Sequence, residues 1–142
     1  MARIDFYVLG SPRDDARWEF ACRLTEKAYR LDHTVHILAP DRARAEMLDE
    51  LLWTWREGSF VPHALSADAG AEPVPVTIGH DRDSCRAGRD LLINLSDDLP
   101  DNIKAFPRVA EIVTSDDDLR RQSRARYASY REQGHTLDTH KL

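Results

Sequence analysis

Apolar segments in the first half of the chain alternate between strand and helix patterns, and this alternation restricts the fold more than any other feature. Ile4 to Leu9 is rich in β-branched and aromatic residues and stops at Gly10-Ser11-Pro12, which predicts a strand and a turn. Apolar positions then recur at helical spacing from Asp14 to Leu31. A short strand, Thr34 to Leu38, and a second helix, Asp41 to about Trp55, follow. This order is typical of a parallel sheet covered by helices.

The second half of the chain supplies further strands. Three segments are predicted to be strands: Val74 to Ile78, Asp90 to Leu95, and Arg108 to Val113 as the last strand of the chain. The nearly continuous apolar character of the second segment is typical of a buried strand. Ala64 to Pro75 and His80 to Arg89 are predicted to be surface loops, because small, polar and charged residues dominate them.

A final helix is predicted from Asp116 to about Gln133. Ser115 with Asp118 three residues later resembles a capping box at its start, and Gly134 is the residue type that ends helices. No internal repeat and no composition break divides the chain. We therefore expect a single domain over residues 1–142, a length that is ordinary for one domain.

The charge balance and the cysteine content indicate which partners and which cellular compartment to expect. The chain has 20 Lys+Arg and 25 Asp+Glu, a formal net charge of −5, which disfavours duplex DNA binding through the overall field but permits a local basic patch. Cys22 and Cys85 are predicted to be buried or half-buried thiols with no paired or catalytic role. No apolar run reaches the roughly 18 residues of a membrane span, and Met1 to Leu9 lacks the features of a signal peptide. We expect a soluble, cytoplasmic protein that does not enter membranes.

Motifs for catalysis or cofactor binding are missing from the sequence. The first turn, Gly10 to Arg13, lacks the spaced glycines of a dinucleotide site and the Gly-Lys-Ser/Thr of a phosphate-binding loop. The six histidines show no metal-ligand spacing, and no serine lies in a Gly-x-Ser-x-Gly elbow. The acidic run Asp116 to Asp118 is explained by the start of the final helix. We therefore expect no active site, no metal and no cofactor.

A tryptophan on the second predicted helix indicates a first interaction surface. The core face of that helix carries four apolar residues, Leu48, Leu51, Leu52 and Trp55. Trp53 falls near the opposite side, among acidic residues, where its apolar ring lies in water unless something covers it. Two explanations stay open. Trp53 anchors a partner, as tryptophan typically does at interfaces, or the loop from Gly58 to His63 folds over it.

The final predicted helix carries what we term the arginine stripe: Arg120, Arg124, Tyr127 and Arg131, spaced i, i+4, i+7 and i+11. No acidic residue occurs between Leu119 and Arg131, although the protein is acidic overall. Arginines bind carboxylates bidentately, and a tyrosine between them can pack against an apolar or aromatic group. The stripe predicts an acidic peptide or a nucleic-acid backbone as its ligand. A solvated helix face, with arginines near the negative helix end, is the alternative.

Several segments together resemble one protein family. The stretch Leu48-Asp49-Glu50-Leu51-Leu52-Trp53, followed by Glu57-Gly58-Ser59-Phe60-Val61-Pro62-His63, resembles the most distinctive part of the DNA polymerase III chi subunit family. Phe6 to Leu9, Arg89 to Leu95 and Arg124 to Arg131 are similar to the same family, in the same order and spacing. The resemblance implies an α/β class protein with a three-layer α/β/α Rossmann-like fold, a mainly parallel sheet and no nucleotide-binding loop.

The resemblance also implies a function. It implies a non-catalytic accessory subunit of the bacterial replicase, which links the clamp-loader complex, through the psi subunit, to the C-terminal tail of single-stranded DNA-binding protein. DNA would be contacted only indirectly. The surface for psi, which a helicase-like protein also uses, is matched by Trp53, Phe60 and Pro62. The acidic tail ends in a Pro-Phe carboxylate, and its site is matched by Val113, Arg124 and Tyr127.

One position departs from the family pattern, and two other functions stay open. The family places a lysine directly after the helix tyrosine, where this chain has Ala128, so Arg120 or Arg131 is expected to supply the charge. A small Rossmann-like enzyme acting on a nucleotide or phosphoester would need the glycine-rich loop that is missing here. Direct binding of single-stranded DNA would need stacking aromatic residues along a groove, and Tyr127 and Tyr130 are the obvious ones.

Overall fold

The computed structural model describes residues 2–66, 74–85, 89–97, 99, 103 and 106–142. Within these residues the chain alternates between strands and helices, as the sequence patterns predict. The strands and α-helices are, in chain order, β1 Arg3–Val8, α1 Asp14–Arg30, β2 Val35–Leu38, α2 Arg42–Thr54, β3 His63–Leu65, β4 Val76–Gly79, β5 Leu91–Asn94, β6 Arg108–Val113, α3 Asp117–Glu132 and β7 Thr136–Lys141.

The strands form one seven-stranded sheet in the order β3-β4-β2-β5-β6-β1-β7. Every pairing between described neighbours is parallel, so the sheet is more uniform than the mainly parallel one that was expected. Parallel neighbours need crossover connections, and the three helices provide several of them. The short strand β3 and the six-residue strand β7 form the two edges of the sheet.

Helices cover both faces of the sheet, which confirms the α/β/α expectation. On one face α1 and α2 bury Trp18, Leu48 and Leu52 against the central strands. On the other face α3 buries Tyr130 in a second cluster that includes Phe6 of β1. The three layers therefore enclose two apolar cores, one on each side of the sheet, and leave the outer faces of the helices to solvent.

Helix caps follow the polar residues at the helix starts, with one correction. Asp41 caps α2 as predicted, since its Oδ1 accepts a hydrogen bond from the Arg44 amide at 2.7 Å. At α3 the cap is Asp116 rather than Ser115: its Oδ2 accepts from the Leu119 amide at 3.0 Å. The predicted start was one residue early because both residue types cap helices well. Gly134, with φ of +85°, follows the end of α3, as predicted.

Two edge strands correct the sequence predictions. β6 is not the last strand, because β7 follows α3 and extends the sheet beyond β1. Its sequence mixes polar residues on both faces, as an edge strand with partial solvent exposure allows, so it carries no strong strand pattern. The predicted loop Ala64 to Pro75 overlaps β3, and its residues 67–73 lie outside the described part.

The loop after β4 differs in part from its prediction, whereas the two cysteines agree with theirs. The predicted loop His80 to Arg89 contains a short 3₁₀ helix, Arg82–Cys85, and its residues 86–88 lie outside the described part. Cys22 and Cys85 are buried and unbridged, as predicted, and burial raises the pKa of the Cys22 thiol to about 12. No helix within the described ranges is long and apolar enough to cross a membrane.

A buried histidine in β2 predicts a pH-dependent stability. The His36 ring lies 2.7 Å from Thr77 Oγ1 and 3.0 Å from Ser84 Oγ, and burial lowers its pKa from 6.5 to about 4. The unfolded chain therefore takes up this proton at a higher pH than the folded chain. From pH 7 to pH 4.5 we expect the free energy of unfolding to fall by about 2 kcal/mol from this group. Denaturant unfolding of wild type and His36→Asn at several pH values checks this, because the variant should lose that part of the slope. Parallel pH dependences would contradict it.

Two candidate partner-binding surfaces

The first candidate surface, here the Trp53 surface, consists of Trp53, Phe60 and Pro62. Trp53 is 50% exposed and Phe60 is 77% exposed, although both are large apolar side chains. The segment that follows α2 alternates in burial: Phe60 and Pro62 are exposed, whereas Val61 and His63 are buried. Phe60 and Pro62 therefore point outward while Val61 fixes the segment to the core. His63, the residue after Pro62, contacts Trp53, so this segment reaches the part of α2 that carries Trp53.

His63 holds the Trp53 surface together. Its ring lies 4.1 Å from the Trp53 ring, centroid to centroid. One ring nitrogen lies 2.6 Å from the Val61 carbonyl oxygen, and the other lies 2.7 Å from the carbonyl oxygen of Asp49 in α2. The histidine thus joins the extended segment to the helix and supports one face of the tryptophan. In the sequence it appeared only as the end of a motif, with no sign of this supporting contact.

A turn and an ion pair fix the path of the chain between α2 and Phe60. Gly58 has φ of +81°, a backbone conformation that strongly favours glycine. The Arg56 guanidinium pairs with the Glu26 carboxylate of α1, which Arg30 also contacts at 3.1 Å. The hydrogen bond from Arg56 is the main cause that lowers the pKa of Glu26, although burial opposes it. The end of α2 is thereby tied to α1 before the chain reaches Phe60.

The loop after α2 covers Trp53 only in part. The segment from Gly58 to His63 does reach the tryptophan, through His63, but half of the Trp53 side-chain surface stays in water. Phe60 lies in the same segment and is more exposed still. The local cover is therefore incomplete, and an apolar surface of the kind that anchors partners is available.

The second candidate surface is the arginine stripe on α3. Arg120, Arg124 and Arg131 are exposed, and Tyr127 between them is half-buried. The Tyr127 ring packs against Phe6 of β1 at 5.3 Å, so the stripe lies on the flank of α3 that faces β1. Among the residues that the structure describes, none of these three arginines has an acidic partner within salt-bridge distance. The stripe thus presents uncompensated positive charge around an aromatic ring.

The other two arginines of α3 have structural partners. Arg121 pairs with Asp118 on the helix surface at 3.4 Å. Arg126 is buried, and its Nε donates to Glu111 of β6 at 3.1 Å. Arg126 therefore belongs to the core, although it lies in a helix segment that contains no acidic residue. Arg124 and Arg126 are two positions apart on the helix and so point in different directions. Arg124 faces solvent, whereas Arg126 faces the sheet.

Glu111 is the centre of a buried polar network that the sequence did not reveal. Besides Arg126, the Tyr130 hydroxyl donates to it at 2.6 Å and the Asn94 amide at 2.7 Å. Burial raises the pKa of the Glu111 carboxyl, against the effect of these partners. A glutamate among the apolar residues of β6, in a chain whose final helix carries an arginine and a tyrosine four residues apart, was the available signal. The network fixes the rotation of α3 on the sheet, and so it determines which side chains form the stripe.

Val113 occupies a different environment from the other residues predicted for the tail site. It is 3% exposed and belongs to the core beneath α3, so its side chain offers a ligand almost no surface in this structure. Its position at the C-terminal end of β6 does place it next to Val8 of β1 in register. Arg120, Arg124, Tyr127 and Arg131 lie together on one flank of α3, as predicted, whereas Val113 lies below them.

The two surfaces lie towards opposite edges of the sheet. The Trp53 surface adjoins β3, and the flank that carries the stripe faces the β1 and β7 side. Six neighbouring-strand steps separate the edges; at about 4.8 Å each, the edges are roughly 29 Å apart. This separation of the two surfaces is suited to the binding of two ligands at once.

Within the described ranges, no group of three His, Cys, Asp or Glu side chains is placed to hold a metal ion.

Comparisons with known proteins agree with the resemblance found in the sequence. The family model described as "DNA polymerase III chi subunit, HolC" matches residues 1–138. A DNA polymerase III subunit chi of Pseudomonas aeruginosa is 39% identical over 142 residues, covering 100% of this chain and 98% of that protein. The protein of the same name from Haemophilus influenzae is 37% identical, over 94% of this chain and 93% of its own. The one from Escherichia coli is 33% identical, over 98% and 97%.

Proposed function

Because this chain belongs to the DNA polymerase III chi subunit family, we propose that it is a non-catalytic, cytoplasmic accessory subunit, acting as one domain, that links two partners during DNA replication. One partner is the psi subunit of the clamp-loader complex, bound at the Trp53 surface, where a helicase-like protein also docks. The other is the acidic C-terminal tail of single-stranded DNA-binding protein, bound at the arginine stripe. DNA is reached only through these proteins.

The observation that carries the proposal is the uncompensated charge of the arginine stripe. Three exposed arginines surround Tyr127, and none of them has an acidic partner among the described residues, although the protein has a net charge of −5. An acidic peptide supplies the missing carboxylates, and an aromatic residue at its end has the half-buried Tyr127 ring to pack against. Arg120 and Arg131, on either side, provide charge that Ala128 lacks.

The Trp53 surface supports the second half of the proposal. Its exposed aromatic rings are large, and His63, Val61 and the turn at Gly58 hold them in place before any partner binds. Preformed aromatic anchors lose little conformational freedom on binding, so they contribute strongly to affinity. A protein partner with an apolar pocket, such as the proposed psi subunit, is the ligand that this chemistry favours.

Binding at the arginine stripe is tested with Arg124 and an acidic peptide ending in Pro-Phe with a free carboxylate. We expect wild type to bind the peptide with a micromolar dissociation constant, about −8 kcal/mol. Arg124→Ala should weaken binding by about tenfold or more, because a charge-assisted contact is lost. Raised salt should weaken binding, since these charges are exposed. Fluorescence anisotropy with a labelled peptide measures both effects.

Controls separate recognition from general attraction. Arg23→Ala removes another exposed arginine, from α1 on the other face of the sheet, and should leave the affinity within about twofold. A peptide lacking its last residue should bind much more weakly, because the aromatic and carboxylate contacts go together. Coinciding curves for wild type and Arg124→Ala, or equal binding of a scrambled peptide of the same charge, would show that the stripe is only a solvated helix face.

A further inference from the structure

The edge strand β7 lies on the side of the sheet that the arginine stripe faces. Leu137 of β7 belongs to the same core cluster as Phe6 and Tyr130, so its side chain lies on the α3 face of the sheet. Side chains alternate along a strand, which places Thr139 and Lys141 on this face too. The alternation is confirmed from the other face, where His140 contacts Asp5 at 3.0 Å and Asp138 pairs with Arg3 at 3.1 Å.

Strand register places Lys141 beside the first half of α3. Thr139 is in register with Phe6, the residue on which Tyr127 packs, and Lys141 is in register with Val8. Two residues of a strand span about 6.7 Å, which is the length of four to five residues of a helix. Because α3 runs in the direction opposite to the strands, Lys141 is level with the turn between Arg120 and Arg124.

These residues lie on two sides of the surface between α3 and β7, and we refer to the two sides as walls. α3 provides one wall through the arginine stripe, and β7 provides the other through Thr139 and Lys141, all exposed except the half-buried Tyr127. Val8 and Leu137, both half-buried, lie between the walls. In the part of the chain that the structure describes, Lys141, like the three arginines, has no acidic side chain within 4 Å. Cations on both walls match an extended peptide that carries several carboxylates.

We infer that β7 is the second wall of the acidic-peptide site, and that Lys141 binds a carboxylate of the peptide opposite Arg120 and Arg124. The inference rests on the proposed function of the arginine stripe and extends it to a residue on another element. A single helix face can contact one side of a peptide, whereas a groove contacts two sides and fixes its direction. Lys141 thereby adds charge that the sequence pattern of α3 does not contain.

The test uses the full chain and a labelled acidic peptide ending in Pro-Phe. Lys141→Glu should weaken binding about tenfold, since repulsion replaces an exposed attraction, and Lys141→Ala about threefold. Lys141→Arg should keep the affinity of wild type. The matched control is Lys27→Glu, which makes the same charge change at an exposed lysine of α1 on the opposite face and should change affinity by less than about twofold. Thermal unfolding should be nearly the same for all four variants.

The outcomes distinguish this inference from the function on which it rests. If Arg124→Ala weakens binding while Lys141→Glu matches Lys27→Glu, then β7 is not part of the site and the arginine stripe acts alone. If wild type does not bind the peptide, both proposals are wrong. A loss specific to Lys141→Glu, together with a shallower dependence of binding on salt, supports the two-walled groove.

Discussion

Replacing Arg126 by alanine should lower the free energy of unfolding by about 3–5 kcal/mol, because it leaves the Glu111 carboxylate buried without its ionic partner. Glu111 is 1% exposed and Arg126 is 8% exposed, so water does not replace the lost contact. The remaining donors, Tyr130 and Asn94, satisfy hydrogen bonds but carry no charge. Equilibrium unfolding in urea measures the change.

The same variant should acquire a characteristic pH dependence. Without Arg126 the pKa of Glu111 in the folded chain rises further above its ordinary value of 4.5. A raised folded pKa contributes stability at low pH that is lost as pH rises, so the deficit should be smaller at pH 5 than at pH 8. Adding Glu111→Gln should recover part of it. Arg124→Ala, two positions away and exposed, should change stability by less than about 0.5 kcal/mol. Equal losses at Arg124 and Arg126 would contradict the assignment of one to the surface and the other to the core.

Replacing Trp53 by alanine should weaken binding of the psi subunit by about 2–4 kcal/mol, the range of an interface hot spot. The ring is 50% exposed, so a partner can cover its outer face while His63 supports the inner one. The core face of α2, with Leu48 and Leu52, is untouched by the substitution, and the melting temperature should change little. Isothermal titration calorimetry with purified psi measures the affinity.

Leu31→Ala is the matched control for Trp53. Leu31 is another exposed apolar residue, at 59%, but it lies at the end of α1 outside the Trp53 surface. Its removal should leave psi binding unchanged. A large fall in melting temperature for Trp53→Ala, with psi binding intact, would show that the tryptophan serves the fold rather than a partner.

Sequence reasoning succeeded where a local pattern decides the structure. β1, α1, β2 and α2 were predictable because each has a clear period and a recognisable boundary, such as the Asp41 cap. The orientation of Trp53 was predictable for the same reason, since the helical period alone places it opposite Leu48 and Leu52. The surface position of the segment from Gly58 to His63 was also predictable. The contacts that His63 makes there were not.

Features that depend on long-range pairing were not predictable. β7 has few apolar residues and becomes a strand because β1 offers it an unpaired edge. Arg126 has the same residue type and nearly the same sequence context as Arg124, and only Glu111, far away in the chain, explains why it is buried. The proposed groove between α3 and β7 depends on that pairing and that rotation together, so no pattern within α3 could indicate Lys141.

The two surfaces are separated on the molecule. The Trp53 surface and the arginine stripe lie towards opposite edges of one sheet, so we expect binding at one to leave the other open. A linker between two protein partners requires this independence. Replacing the anchor residue of one surface should therefore abolish binding at that surface and leave binding at the other unchanged.

Sequential binding to immobilised psi shows whether the two surfaces act independently. Surface plasmon resonance would record first the capture of this protein and then the capture of single-stranded DNA-binding protein on the loaded surface. Wild type should give both responses. Arg124→Ala should be captured normally but lose most of the second response, whereas Trp53→Ala should not be captured, yet should still bind the acidic peptide in solution. If wild type cannot hold both partners at once, or if one substitution abolishes both interactions while the protein stays folded, the account of two independent surfaces is wrong.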